Sequence, residues 1–123
     1  MKSAPPYEFI FDYLPSNIIV NKTFGMYYIY LHKKNVLILR KLTKNLNLNG
    51  IWIATGTEHH ASLKAEVPAI SNFVLDNGDV HDSGWQMLKE EDDDFESAAR
   101  KICDLISHGD HRIGKVTKKS ITL

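Results

Sequence analysis

Residues 27–40 carry the strongest pattern of hydrophobic and polar positions in this 123-residue chain. Bulky β-forming side chains alternate along the segment YYIYLH, and the apolar segment VLIL follows Lys33, Lys34 and Asn35. Alternation with a period of two predicts a strand, and an uninterrupted apolar run predicts a strand that is buried on both faces. The pattern therefore predicts a β-hairpin, with a turn at residues 33–35, that needs cover on both sides.

Further strands are predicted on either side of this hairpin. Residues 18–24 favour a first strand, and residues 51–54 favour a short one after an Asn-rich loop. An Asn-Gly pair at residues 77–78, between two apolar segments, predicts the type I′ turn of a second hairpin. A Ser-Gly pair at residues 83–84 predicts a bulge in its return strand.

Three segments favour helices. Residues 7–14 place apolar side chains at i, i+3, i+4 and i+7, although the same residues alternate in a way that permits a strand. A second helix is predicted to begin with a capping box at residues 55–58 and to end at Pro68. The third has a continuous apolar stripe over residues 95–106 and a capping box at residues 93–96.

The order of these elements is α-β-β-β-(β)-α-β-β-α, which predicts an α+β fold. Three helices cannot easily cover both faces of an antiparallel sheet of five to six strands, so a two-layer arrangement with the helices on one face is expected. The other face would then be apolar and exposed, which is typical of an interface. The side chains predicted on that face are Tyr28, Tyr30, Val36, Ile38 and Trp52.

The composition narrows the class of protein. Apolar content of 43% is typical of an ordinary globular domain. The formal net charge is zero, so no overall electrostatic attraction draws the protein to nucleic acid or to an anionic membrane. Cys103 is the only cysteine, so a disulfide within the chain is impossible. No apolar segment predicts a signal peptide or a membrane span, and we expect a cytoplasmic protein. We expect a single domain over residues 1–110 and a basic tail over residues 111–123.

The strand-to-helix turn at residues 54–57 is a candidate site for an anion. The free N–H groups of a helix N-terminus can hold a phosphate or carboxylate. The candidate residues are Thr55, Gly56, Thr57, His59 and His60. Plain capping of the helix explains the same residues, and Glu58 already supplies negative charge there. Adjacent histidines point about 100° apart on a helix, so we expect no metal site, and no cofactor or catalytic residue is predicted.

Basic residues around the first hairpin suggest a second kind of partner. Lys33, Lys34, Arg40 and Lys41 cluster in the sequence near the aromatic strand, and the C-terminal tail adds further cations. Single-stranded nucleic acids bind to sheets on which aromatic side chains stack bases and cations contact phosphates. Nucleic-acid binding is therefore an alternative hypothesis.

Two short motifs resemble a known family. The segment Lys22-Thr23-Phe24-Gly25 precedes an apolar-aromatic hairpin, and the segment WQML at residues 85–88 precedes an acidic turn and a long helix. Both segments are similar to the N-terminal domain of the TfoX/Sxy family, which carries Met-Phe-Gly in the place of the first segment. The related YjbR/MmcQ-like domains resemble the chain in the strand-to-helix ending and in the overall order of elements. The resemblance implies a secretion-chaperone-like α+β domain, a regulatory role and no established enzymatic activity.

Together, the pattern and the resemblance lead to one main hypothesis. We expect a small non-enzymatic interaction or regulatory module, homodimeric or bound to a protein partner through the open face of its sheet. Nucleic-acid binding and anion binding are the alternatives.

Overall fold

The computed structural model describes residues 4–74, 80–81 and 84–116. Five antiparallel strands form the larger sheet, in the spatial order β1-β2-β3-β4-β7, and β5 pairs with β6 in a second, two-stranded sheet. The strands are β1 (Ile19–Thr23), β2 (Met26–Leu31), β3 (Lys34–Arg40), β4 (Gly50–Ile53), β5 (Phe73–Val74), β6 (Val80–His81) and β7 (Gln86–Lys89). The turn predicted at residues 77–78 lies outside the described residues, as does Ser83 of the predicted bulge.

Two α-helices accompany these strands: α1 (His60–Glu66) and α2 (Phe95–Ser107). Short 3₁₀ turns occur at Glu8–Asp12, Leu46–Leu48 and Thr57–His59. The α+β class and the antiparallel sheet are confirmed, whereas the first of the three predicted helices is only a 3₁₀ turn. It is held by tertiary contacts, because the Tyr7 hydroxyl donates to the Arg40 carbonyl (2.9 Å) and the Tyr7 ring packs on Phe95.

Two-residue turns connect the first three strands. Phe24 and Gly25 join β1 to β2, and both have positive φ angles of 53° and 77°. His32 and Lys33 join β2 to β3 with φ angles of 52° and 61°. Positive φ at both central residues is what a type I′ turn requires, and this turn matches the twist of the flanking strands. The turn predicted at residues 33–35 is therefore misplaced by one residue, and Asn35 is buried inside β3.

Both predicted capping boxes are wrong. Helix α2 begins one residue later than its box requires, with Asp94 as N-cap and no side-chain cap bond. The Thr55 hydroxyl instead donates to the Arg112 carbonyl (2.7 Å), 57 residues away in the chain. At Thr55, a tertiary hydrogen bond has therefore replaced the predicted local one. The C-terminus of α2 follows expectation, because Gly109 adopts φ 73° just after the helix.

One face of the larger sheet packs against α1, α2 and the N-terminal 3₁₀ turn. The strand register places Ile29, Leu37 and Ile53 in one row across β2, β3 and β4, and all three are fully buried. Helix α2 adds its apolar stripe to this core, which includes Ile102 and Ile106. Burying a side chain of this size stabilises the fold by about 1.5–3 kcal/mol.

The segment after α2 belongs to the domain. Ile113 is 5% exposed and lies in the main core, and Lys115 exchanges backbone hydrogen bonds with Asn35 at the start of β3 (2.8 and 2.9 Å). The Gly114 N–H donates to the Ala54 carbonyl (2.7 Å). Residues 111–116, which the charge pattern assigned to a basic tail, therefore pack against the sheet as an integral strap.

Candidate functional site

The apolar face predicted to be open is sheltered within a single chain. Tyr30, Val36 and Ile38 are 2%, 4% and 5% exposed, while Tyr28 and Trp52 are half-buried. The Trp52 ring packs edge-on against Phe73 of β5 (centroids 5.0 Å apart), so the second sheet lies against this side. Burial also raises the pKa of the Tyr30 hydroxyl. The prediction of an exposed docking face was wrong.

A β-bulge explains the position of Val36. Ile29 pairs with Leu37, but Tyr30 pairs with Asn35, so Val36 has no partner on β2. The extra residue turns Val36 towards the helix side, where it joins the core with Leu37. Simple alternation from Ile38 assigned it to the opposite face.

The residues of the predicted anion site do not converge on a common position. Thr55 is buried and bonded to the strap, and the ring of His59 packs against the ring of His111. A hydrogen bond of 2.7 Å joins His60 Nε2 to the Gly84 carbonyl.

The turn itself is occupied by the protein's own carboxylate. A Cβ atom on Gly56 would overlap the Glu58 carboxylate, which folds back over the turn. Thr57 is exposed and begins a 3₁₀ turn rather than a long helix. Anion binding stays a prediction, to which these contacts add no support.

The four basic residues predicted to bind nucleic acid are divided between the two ends of β3. Lys33 and Lys34 are exposed at its start. Arg40, at its end, is 5% exposed and donates to the Asn49 side chain (2.8 Å) and to two backbone carbonyls, while Lys41 pairs with Glu90. Lys34 and Arg40 are the first and last residues of the seven-residue strand β3, so the two groups lie about 20 Å apart. The structure does not assemble them into one cationic patch.

Other candidate chemistry is structural. Cys103 is 1% exposed in the core, and burial raises its pKa to about 12, so the thiol is kept protonated. Among the described residues, no group of three His, Cys, Asp or Glu side chains is placed to hold a metal ion. Three clefts in the described part of the protein have volumes of about 170, 190 and 210 Å³. All are below the about 300–1,000 Å³ of a typical small-molecule pocket.

The two edges of the larger sheet differ. At the β7 edge, Ser71 and Met87 exchange two backbone hydrogen bonds (3.0 and 2.9 Å), which occupy the outward backbone groups of Met87. At the opposite edge, β1 is the outermost strand, and no described strand pairs with its outer side. An edge strand presents backbone N–H and C=O groups that can pair with another chain.

The hydrogen-bond pattern determines which β1 residue directs its backbone outward. One row of paired residues crosses all five strands: Met87, Trp52, Ile38, Tyr28 and Asn21. Met87 bonds outward to Ser71, and antiparallel ladders alternate between bonded and non-bonded pairs. Following this alternation across the row from Met87 makes Asn21 and Tyr28 a bonded pair, so the backbone of Asn21 faces β2. The N–H and C=O of the neighbouring Val20 therefore point away from the sheet.

Apolar side chains accompany this open backbone. Ile19 is 46% exposed, Val20 is 38% exposed and Phe24, in the adjoining turn, is 88% exposed. On the same strand, the Lys22 ammonium lies 5.4 Å from the centre of the Tyr27 ring. We call residues 19–24 the β1 edge. The sequence predicts this strand, but its position at the sheet margin follows from the strand order alone.

No described helix combines the length and apolar character needed to cross a membrane. Comparison with protein-family models, with curated proteins and with solved structures finds no match to this chain.

Proposed function

We propose that this protein is an interaction module that binds a protein partner by strand addition at the β1 edge. The observation that carries the proposal is the asymmetry of the sheet. Ser71 bonds to the outward backbone groups of Met87 beyond β7, whereas no strand among the described residues pairs with the outer side of β1. In strand addition, main-chain hydrogen bonds supply affinity and alternate side chains supply specificity. The regulatory role implied by the resemblance to TfoX/Sxy would require such a partner-binding surface.

The exposed side chains favour this use of the edge. Natural proteins protect an open edge with charge, proline, bulges or a covering loop. Strand β1 carries one such charge, Lys22, but it also exposes Ile19 and Val20 along its first half and Phe24 in the turn at its other end. An aromatic side chain buries about 150–250 Å² when it is enclosed, so Phe24 offers most of that area to a partner.

The experiment blocks the outward backbone of a single residue. Val20→Pro removes the N–H that faces away from β2 and leaves the β1–β2 ladder bonds in place. Val20→Thr is the matched control, because it keeps both the N–H and a β-branched side chain. Peptides selected from a display library on the wild-type protein would be synthesised, and their affinities measured by fluorescence anisotropy.

We expect peptides with alternating apolar residues, and an affinity at least about tenfold weaker for Val20→Pro than for Val20→Thr, because ladder bonds are lost. Circular dichroism would verify that both variants fold. Peptide binding that is unchanged in Val20→Pro would contradict the proposed site. The proposal would also be contradicted if no selected peptide depended on the β1 edge and the wild-type protein were monomeric.

A further inference from the structure

We propose that the partner at the β1 edge is the β1 strand of a second copy of this chain, paired antiparallel about a two-fold axis through Asn21. This inference rests on the proposed function and specifies its partner. The pairing would join two five-stranded sheets into one continuous sheet of ten strands, built on the strand order already present in each copy. Two-fold dimers of this kind use the same surface on both subunits.

The register follows from the strand itself. Antiparallel pairing of the full strand places Ile19 opposite Thr23 of the other copy, and Val20 opposite Lys22. Asn21 then lies opposite its own copy at the axis. This register brings the outward-facing backbone of Val20 onto an outward-facing position of the second strand, as an antiparallel ladder requires. A shift by one residue would direct the Val20 groups at positions whose backbone already bonds to β2.

Charge and side-chain pairing agree with the same register. Like charges directly opposite one another on paired strands are destabilising. In this register Lys22 faces Val20 of the second copy, so the two lysines avoid that arrangement. Ile19 faces Thr23, and cross-strand pairs of β-branched residues suit a sheet surface. The formal net charge of the chain is zero, so no overall repulsion opposes the approach of two copies.

Apolar surface is available at both ends of the paired strands. Continuing the register brings the turn residue Phe24, 88% exposed, next to the segment that contains the half-buried Ile18 of the second copy. The two-fold axis repeats this contact at the other end. The ladder would therefore be flanked by two aromatic contacts, which add apolar burial to its backbone hydrogen bonds.

Disulfide cross-linking tests the register directly. Opposed residues of a non-hydrogen-bonded pair have Cα atoms about 4.5 Å apart, within the range for a disulfide. Asn21→Cys should therefore form a covalent dimer on mild oxidation that a reductant reverses. Val20→Cys is the matched control, because its own counterpart would lie diagonally about 7–8 Å away and cannot be bridged without backbone movement. Wild-type protein controls for Cys103, which is buried.

Sedimentation velocity of wild-type protein, Val20→Pro and Val20→Thr gives an independent measurement that needs no cysteine. We expect a concentration-dependent dimer whose dissociation constant rises at least about tenfold in Val20→Pro and is nearly unchanged in Val20→Thr. This measurement also decides the proposal if Asn21→Cys fails to fold.

The outcomes separate this inference from the proposed function. Equal cross-linking of Val20→Cys and Asn21→Cys would overturn the register. A wild-type protein that stays monomeric at high micromolar concentration would overturn the second copy as partner. If selected peptides still bound at the β1 edge in that case, the proposed function would stand; without such peptides both proposals would fall.

Discussion

Removing one carboxylate from the ion pairs of Arg112 should destabilise the protein in a pH-dependent way. The Arg112 guanidinium donates to Asp110 (2.6 Å) and to Glu66 at the end of α1 (2.7 Å), and its side chain is only 12% exposed. These contacts pin the C-terminal strap, whose Ile113 lies in the core. Asp110→Asn keeps the size of the side chain and removes its charge.

The magnitude follows from the pKa of Asp110. Side-chain hydrogen bonds from Arg112, with further contributions from its backbone N–H and its charge, lower this pKa from 3.8 to about 2 against the opposing effect of burial. One pKa unit corresponds to about 1.4 kcal/mol, so the lowered pKa of Asp110 contributes at most about 2.4 kcal/mol to the free energy of unfolding. Solvent screening reduces the contribution of a group near the surface, and we expect about 1–2 kcal/mol at pH 7.

The sign of the pH dependence is determined by the same shift. The folded-state pKa lies below the unfolded one, so the stabilisation is complete above about pH 4–5 and is lost as the pH falls through about 2. Urea unfolding of wild-type protein and Asp110→Asn between pH 7 and pH 2 would measure it. The difference in free energy of unfolding should shrink towards zero at the acid end. A difference that stays constant over this range would refute an electrostatic origin.

Two further variants test burial at other places. Ile38→Asp should unfold the chain, because position 38 is 5% exposed and an unpaired buried carboxylate costs several kcal/mol. Phe24→Asp, at a turn position that is 88% exposed within one copy, should change the free energy of unfolding of the monomer by less than about 0.5 kcal/mol. Thermal melts followed by circular dichroism would compare them, and a folded Ile38→Asp monomer would reinstate the open face. For Cys103, we expect a thiol reagent to react at pH 8 only after unfolding in urea, because burial raises the pKa of this thiol to about 12. Stoichiometric labelling of the native protein within seconds would contradict a buried, protonated thiol.

Local patterns were sufficient for several elements of the fold. The alternation over residues 27–31 and the apolar run over residues 36–39 predict β2 and β3, and the helical stripe predicts α2. Each depends on side-chain periodicity, which the backbone geometry of strands and helices dictates within a few residues. The sequence also predicts the β1 strand, and Pro68 predicts the end of α1 because a proline cannot continue a helix.

The candidate sites could not be predicted in the same way, because burial depends on segments distant in sequence. Trp52 is covered by Phe73, and Thr55 bonds to Arg112, so neither residue serves the role that its local sequence suggested. Arg40 lies in a basic stretch of sequence but is buried by hydrogen bonds to the following loop.

The sequence by itself determined that the central strands are too apolar to face water on either side, since this follows from side-chain chemistry and a period of two. Only the tertiary structure decided what covers them: helices on one side, and Phe73 of the second sheet against the other. It also decided which strand lies at the margin of the sheet, because strand order brings together residues far apart in the chain. Ser71 bonds to Met87 beyond β7, whereas Val20 directs its backbone outward at the β1 edge.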